Sequence, residues 1–113
     1  MNPKKSAHMD PARLEENAEK AAGLLKAMSH PGRLMVLCTL MQGEAPVSAL
    51  NLAIPLSQSA LSQHLAGLRQ ADLVDTRREG QVIYYRLKSR AVTRVIETLY
   101  RIYCNDNHEE KNG

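Results

Sequence analysis

Two sets of side chains in this chain could do chemistry: the cysteines Cys38 and Cys104, and a run of amides and hydroxyls at Gln58, Ser59, Ser62 and Gln63. Thiols attack peroxides or sulfane sulfur and can close a disulfide. Short amides and hydroxyls, set in a row on a helix, reach base edges and phosphates in the major groove. On position alone Cys38 reads as a small hydrophobe, because it shares a helical face with Leu34, Leu37 and Met41. Cys104 ends the last apolar run and precedes the polar stretch from Asn105, so it reads as a partly exposed thiol open to reaction. In a reducing compartment, a bond between two such thiols would be transient and regulatory rather than structural. No CxxC or HxxxH spacing occurs, so no metal and no cofactor are expected, and His8, His30 and His108 are given no role.

The amides and hydroxyls lie in LSQSALSQHLAGLRQADLV, Leu56 to Val74. Leu61, Leu65 and Leu68 recur at i, i+4 and i+7, which predicts a helix packed by one narrow stripe. At 100° per residue, Ser59, Gln63, Ala66 and Gln70 fall opposite that stripe, flanked by Gln58 and Ser62 on one side and His64 on the other. Ser57 can cap the helix, and Pro55 ends the element before it. Val47, Leu50 and Ile54 describe a shorter helix, so the two form a helix-turn-helix within residues 47–70. After Asp72 the period changes to two. Ile83, Tyr85 and Leu87 alternate with Val82, Tyr84 and Arg86, and Glu79-Gly80 is expected as the turn of a hairpin. Such a wing would carry Arg77, Arg78 and Gln81 at its tip, placed to meet phosphates or the minor groove.

The run LSQSALSQHLAGLRQADLV joined to RREGQVIYYRL resembles the ArsR family of small winged-helix regulators, from about Ala21 to Cys104. That resemblance implies a mainly α fold, a winged helix-turn-helix of order α-α-α-α-β-β-α, dimeric through its first and last helices. Two reading helices would then sit about one helical turn apart on a pseudo-palindromic operator in double-stranded DNA. The DNA-contacting set becomes Gln58, Ser59, Ser62, Gln63, His64, Arg77, Arg78 and Gln81. With a cysteine in the second helix and another ending the last, the chain resembles the thiol-sensing branch of the family. This implies that Cys38 and Cys104 form a redox switch answering to an oxidant or to sulfane sulfur. Metal-sensing members carry an ELCVCDL-type motif where this chain has EAPVSAL, Glu44 to Leu50, with Pro46 and Ser48 in place of the thiolates. A regulator answering to a metal or to no ligand is the alternative.

The outer segments supply the rest of the fold. Asp10-Pro11 is expected to cap and start a helix through Leu14, Ala18, Ala21, Leu25 and Met28, with Glu15 and Glu16 near its positive end. Pro31 starts the second helix, and Ser89 opens the last, whose Val92, Val95, Ile96, Leu99, Ile102 and Tyr103 form a face broad enough for both the domain and a partner. At 113 residues the chain supports one domain, expected over residues 10–104 with flexible ends at 1–9 and 105–113. The net charge of +3 lies chiefly between residues 57 and 90, on the reading segment. No apolar run long enough for a membrane span or a secretory signal is present, so a cytoplasmic protein is expected. Phe and Trp are absent, which argues against a stacking platform for single strands. No nucleophile–base pairing or phosphate-binding glycine loop suggests an enzyme.

Overall fold

Proline marks the start of the first two helices. In the computed structural model, which describes residues 10–104, α1 spans Pro11–Met28 and α2 spans Pro31–Leu40, each with proline in its first turn. The expectations for residues 1–9 and 105–113 lie outside the described residues. Asp10 occupies the N-cap position of α1, but its side chain makes no capping bond there, and no carboxylate falls in the first turn. Glu15 and Glu16 sit one turn too far along to meet the helix dipole. Only Met28 of α1 is buried, and Leu14 and Leu25 are more than half exposed.

A two-residue strand β1, Ala45–Pro46, follows, and the sequence pattern did not announce it. It pairs antiparallel with the later hairpin, Ala45 opposite Tyr85 and Pro46 opposite Tyr84. Two residues are too few to show a period, and the proline is tolerated because β1 is an edge strand. Helix α3, Val47–Ala53, and helix α4, Gln58–Gln70, form the expected helix-turn-helix. Ser57 caps α4, its Oγ accepting the Ala60 N–H at 3.1 Å. The far end of α4 closes with Asp72 in the left-handed region at φ 67°. The Asp72 N–H donates to Arg69 O at 3.0 Å and the Leu73 N–H to Leu68 O at 2.9 Å. This paired reversal satisfies the last carbonyls and turns the chain directly into the sheet.

Strands β2, Val74–Glu79, and β3, Val82–Leu87, form the wing, with Val74 opposite Leu87 and Glu79 opposite Val82. That register puts Gly80-Gln81 at the turn rather than Glu79-Gly80. Gly80, at φ 67°, supplies the positive φ required of the first central residue in a tight hairpin. Helix α5, Arg90–Tyr103, is capped by Ser89, whose Oγ accepts the Val92 N–H at 3.2 Å.

The core joins Val36, Leu37 and Leu40 of α2 with Leu50 and Ile54, the α4 stripe Leu61, Leu65 and Leu68, then Leu73 and Val74, and Val92 and Ile96 of α5. Burying the three leucines of α4 contributes about 5–9 kcal/mol at 1.5–3 kcal/mol each. That one-sided anchorage leaves the opposite face of α4 in solvent. Among the described residues no buried side chain is polar, so helix packing here rests on apolar area.

Candidate nucleic-acid interface

Gln58, Ser59, Ser62, Gln63, Ala66 and Gln70 are all exposed on α4, because the leucine stripe takes the other side. Among the described residues, no side-chain hydrogen bond occupies Gln58, Ser59, Ser62 or Gln63. Their donors and acceptors are therefore unengaged within the chain. His64 is placed differently from the expectation that put it beside the reading face. Its ring lies against that of His30, with centroids 4.4 Å apart and planes at 47°, and it is half-buried over the first turn of α2. Burial, then His30, then Arg33 hold its imidazole below the ordinary value of 6.5.

The wing divides its arginines. Arg77, expected at the tip, is drawn back into a brace: Nε donates to Glu44 Oε2 at 2.9 Å, one terminal nitrogen to Glu44 Oε1 at 2.8 Å and the other to Glu79 at 3.2 Å. Its guanidinium also lies over the Tyr84 ring, 4.5 Å from the centroid. The hydrogen bond from Arg77 holds the Glu44 carboxyl below its usual range, and the same partners raise Arg77. Arg86 pairs with Asp75 at 3.2 Å and Lys88 with Asp72 at 2.7 Å. Arg78 and Gln81 are exposed, and among the described residues neither has a side-chain partner. These pairs localise the charge rather than remove the net excess, of which only Glu44, outside residues 57–90, offsets one unit, and among the described residues they leave Arg78 as the unpaired guanidinium of the wing.

The thiols converge elsewhere. Cys38 on α2 and Cys104 at the C-cap of α5 are both free, and both line an apolar cavity of about 210 Å³ with Leu34, Ile96, Leu99, Tyr100 and Tyr103. Cys38 is half-buried and Cys104 exposed. Burial first, and then the neighbouring Cys104, push the Cys38 thiol up. The sequence did not single out His30, whose Nδ1 accepts the Gly32 N–H at 2.9 Å and so caps α2. Its position just before Pro31 was the available signal.

A helix-turn-helix followed by a two-stranded wing, with an amide- and hydroxyl-bearing helix facing solvent, defines a winged-helix DNA-binding protein. The chain belongs to the arsR family of bacterial regulatory proteins, whose family model matches residues 30–76. It is 48% identical to the transcriptional activator HlyU of Vibrio cholerae over 103 residues, 91% of this chain and 95% of that protein. It is 40% identical to the biofilm growth-associated repressor of Xylella fastidiosa over 102 residues, 90% of each. The fold agrees with that of reduced HlyU from Vibrio cholerae at a TM-score of 0.77 and 50% identity, covering 80% of this chain and 96% of that one. For the repressor BigR from Xylella fastidiosa the TM-score is 0.78 at 42% identity, covering 85% and 98%. This protein is therefore a DNA-binding transcriptional regulator and not an enzyme. Among the described residues, no helix is long and apolar enough to cross a membrane.

Proposed function

We propose that this regulator binds a pseudo-palindromic operator as a homodimer and that Cys38 and Cys104 form the switch that sets its DNA affinity. The observation that carries the switch is that two free thiols, one on α2 and one ending α5, line the same apolar cavity. Support for a dimer comes from apolar side chains left in solvent on the outer helices: Leu14 and Leu25 on α1, Tyr100, Ile102 and Tyr103 on α5. The proposed DNA contacts are Gln58, Ser59, Ser62 and Gln63 on α4 with Arg78 and Gln81 on the wing. His64 and Arg77, expected as contacts, are assigned to positioning instead, since each is already engaged within the fold.

Exposure makes Cys104 the thiol that a dissolved oxidant meets first, and the raised Cys38 suits the resolving role. The Cys104 thiolate takes oxygen from a peroxide, or sulfur from a sulfane donor, to give a sulfenic acid or persulfide. Cys38 then attacks that sulfur, expelling water or hydrosulfide, and the resulting disulfide ties α2 to α5. Incorporation of further sulfane sulfur lengthens the bridge to a polysulfide. A Cα separation wider than about 4.4–6.8 Å would select the longer bridge. To lower operator occupancy a hundredfold, the bridge must disfavour the binding conformation by about 2.7 kcal/mol. The Vibrio cholerae relative has a structure distinguished as reduced, which fits a redox form in a neighbouring protein.

Intact mass tests the switch without an operator. Reduced protein is exposed anaerobically to a polysulfide donor or to peroxide, beside Cys38→Ser and Cys104→Ser. Gain of sulfur with loss of both free thiols, abolished in either variant, is the expected result for reactive sulfur; loss of two hydrogens indicates a disulfide sensor. Two thiols that stay free under both treatments would end the redox reading and leave a metal or no effector.

A further inference from the structure

Two glycines on facing helices each receive a side chain from the other helix. A methyl group on Gly32, in the first turn of α2, would stand 2.5 Å from Nε2 and 2.7 Å from Cδ2 of His64 on α4. A methyl group on Gly67 of α4 would collide with the guanidinium of Arg33 on α2. His64 therefore fills the space that α2 leaves open, and Arg33 fills the space that α4 leaves open. Both seats are tied down. His30 accepts the Gly32 N–H on Nδ1 at 2.9 Å and lays its ring against His64. Arg33 donates to the Ala27 carbonyl at 2.9 Å, reaching the end of α1. The α1–α2 corner and the middle of α4 are thereby interlocked in both directions, through polar side chains that the apolar core does not use.

We propose that this double seat holds α4 at the angle from which its outer face reads DNA, and that protonating His64 in its seat against His30 unseats it. Acid would then weaken DNA binding by a route separate from the thiols. The inference rests on α4 being the reading helix. Its chemistry follows from the lone pairs. His30 can accept from Gly32 only while Nδ1 is unprotonated. A proton on His64 places a cation against His30 and beside Arg33, the two described groups from α2 that bear on it; neither is a carboxylate. On the α1 side, Arg33 is itself tied to the Ala27 carbonyl at 2.9 Å. The neutral ring is the seated one, in keeping with the lowered proton affinity of His64.

The sign separates this role from the simpler one. A histidine that merely lay near phosphate would tighten DNA binding when protonated, by adding positive charge. The experiment uses the full reduced chain and a duplex that this protein selects from a random-sequence pool at pH 7.5. Dissociation constants are measured by fluorescence anisotropy at pH 7.5 and 5.5 at fixed ionic strength, with unfolding followed by circular dichroism. Wild type and the Cys38→Ser/Cys104→Ser double variant are expected to weaken several-fold at pH 5.5, since one unit of coupled proton affinity is worth about tenfold only once the pH lies well below both values. His64→Gln, neutral at both values, should show a flat profile, and His30→Asn, which keeps a capping acceptor, a shallower one. In the folded protein, the Gly32 and Gly67 amide resonances should move as the His64 ring titrates. Wild-type binding that is unchanged or tighter in acid, parallel loss in His64→Gln, or amide signals that ignore the titration would each overturn the proposal. Gln63→Ala runs alongside at pH 7.5. Undiminished binding there would remove α4 as the reading helix and this inference with it, whereas a loss there beside a flat wild-type pH profile would overturn the seat alone.

Discussion

The division of labour between Arg77 and Arg78 can be tested by salt. The perturbation is a pair of variants, Arg77→Ala and Arg78→Ala, assayed on the same selected duplex between 50 and 200 mM salt. Arg78 is exposed without a partner among the described residues, so it is available to a phosphate in each wing of the proposed dimer. Each phosphate contact contributes about 0.9 to the slope of log K against log salt, so losing one per wing lowers the slope by about 1.8. Across that fourfold range of salt, a slope difference of about 1.8 changes relative affinity about twelvefold. Arg77 predicts something else. Its guanidinium is held by both oxygens of Glu44, by Glu79 and by the Tyr84 ring, and it fixes the wing to the segment ahead of β1. Arg77→Ala should weaken specific binding while leaving the slope at the wild-type value. Glu44→Gln should act in the same direction, and the double variant should be no worse than Arg77→Ala alone, because the Glu44 contact is lost in both. A slope that falls in Arg77→Ala as far as in Arg78→Ala would mean that Arg77 leaves Glu44 for the DNA, refuting the brace. An unchanged slope in Arg78→Ala would take the wing off the backbone.

Other outcomes follow from the packing and the titrating groups. Limited alkylation with iodoacetamide near pH 8, mapped by peptide mass, should modify Cys104 well before Cys38, because burial and the neighbouring thiol raise Cys38; equal rates would contradict that order. Leu65→Ala, at a fully packed position on the inner stripe of α4, should cost about 2–5 kcal/mol in urea unfolding, as buried leucine truncations do. A cost under about 1 kcal/mol would mean that α4 is not anchored by its stripe. Stability should also depend on pH through His64. Its folded-state proton affinity lies below the unfolded value of 6.5, so the unfolded chain binds the proton first. Stability is then full above about 6.5 and falls as pH drops from there toward the lowered folded value. The paired Glu44 and Asp75 act in a separate window, at and below their ordinary values of 4.5 and 3.8. Urea midpoints across this range should show the upper step in wild type and lack it in His64→Gln. A step that survives the substitution would assign it to another group.

What the sequence by itself determined is what local periodicity can encode. The spacing of Leu61, Leu65 and Leu68 located α4 and its buried side, and Ser57 and Ser89 marked two helix starts that the structure caps through their hydroxyls. The alternation of Ile83, Tyr85 and Leu87 with Val82, Tyr84 and Arg86 located β3 and divided its two faces. Each is a statement about neighbours within one element, where backbone geometry alone fixes which side chains share a face. The turn was misread by one residue because Glu79-Gly80 and Gly80-Gln81 both offer the required glycine, and only cross-strand pairing decides between them. Contacts between elements were decided by the tertiary structure. Glu44 and Arg77 are separated by 33 residues, and nothing in either segment marks the other as a partner. Nothing in the spacing of Gly32 and Gly67 marks them as facing positions, and only the packing of α2 against α4 seats His64 and Arg33 on them. The shared cavity of Cys38 and Cys104 likewise exists only because α5 returns to pack against α2. Periodicity fixes a residue's direction from its own axis; whether two directions meet depends on how axes cross, and the whole core sets that.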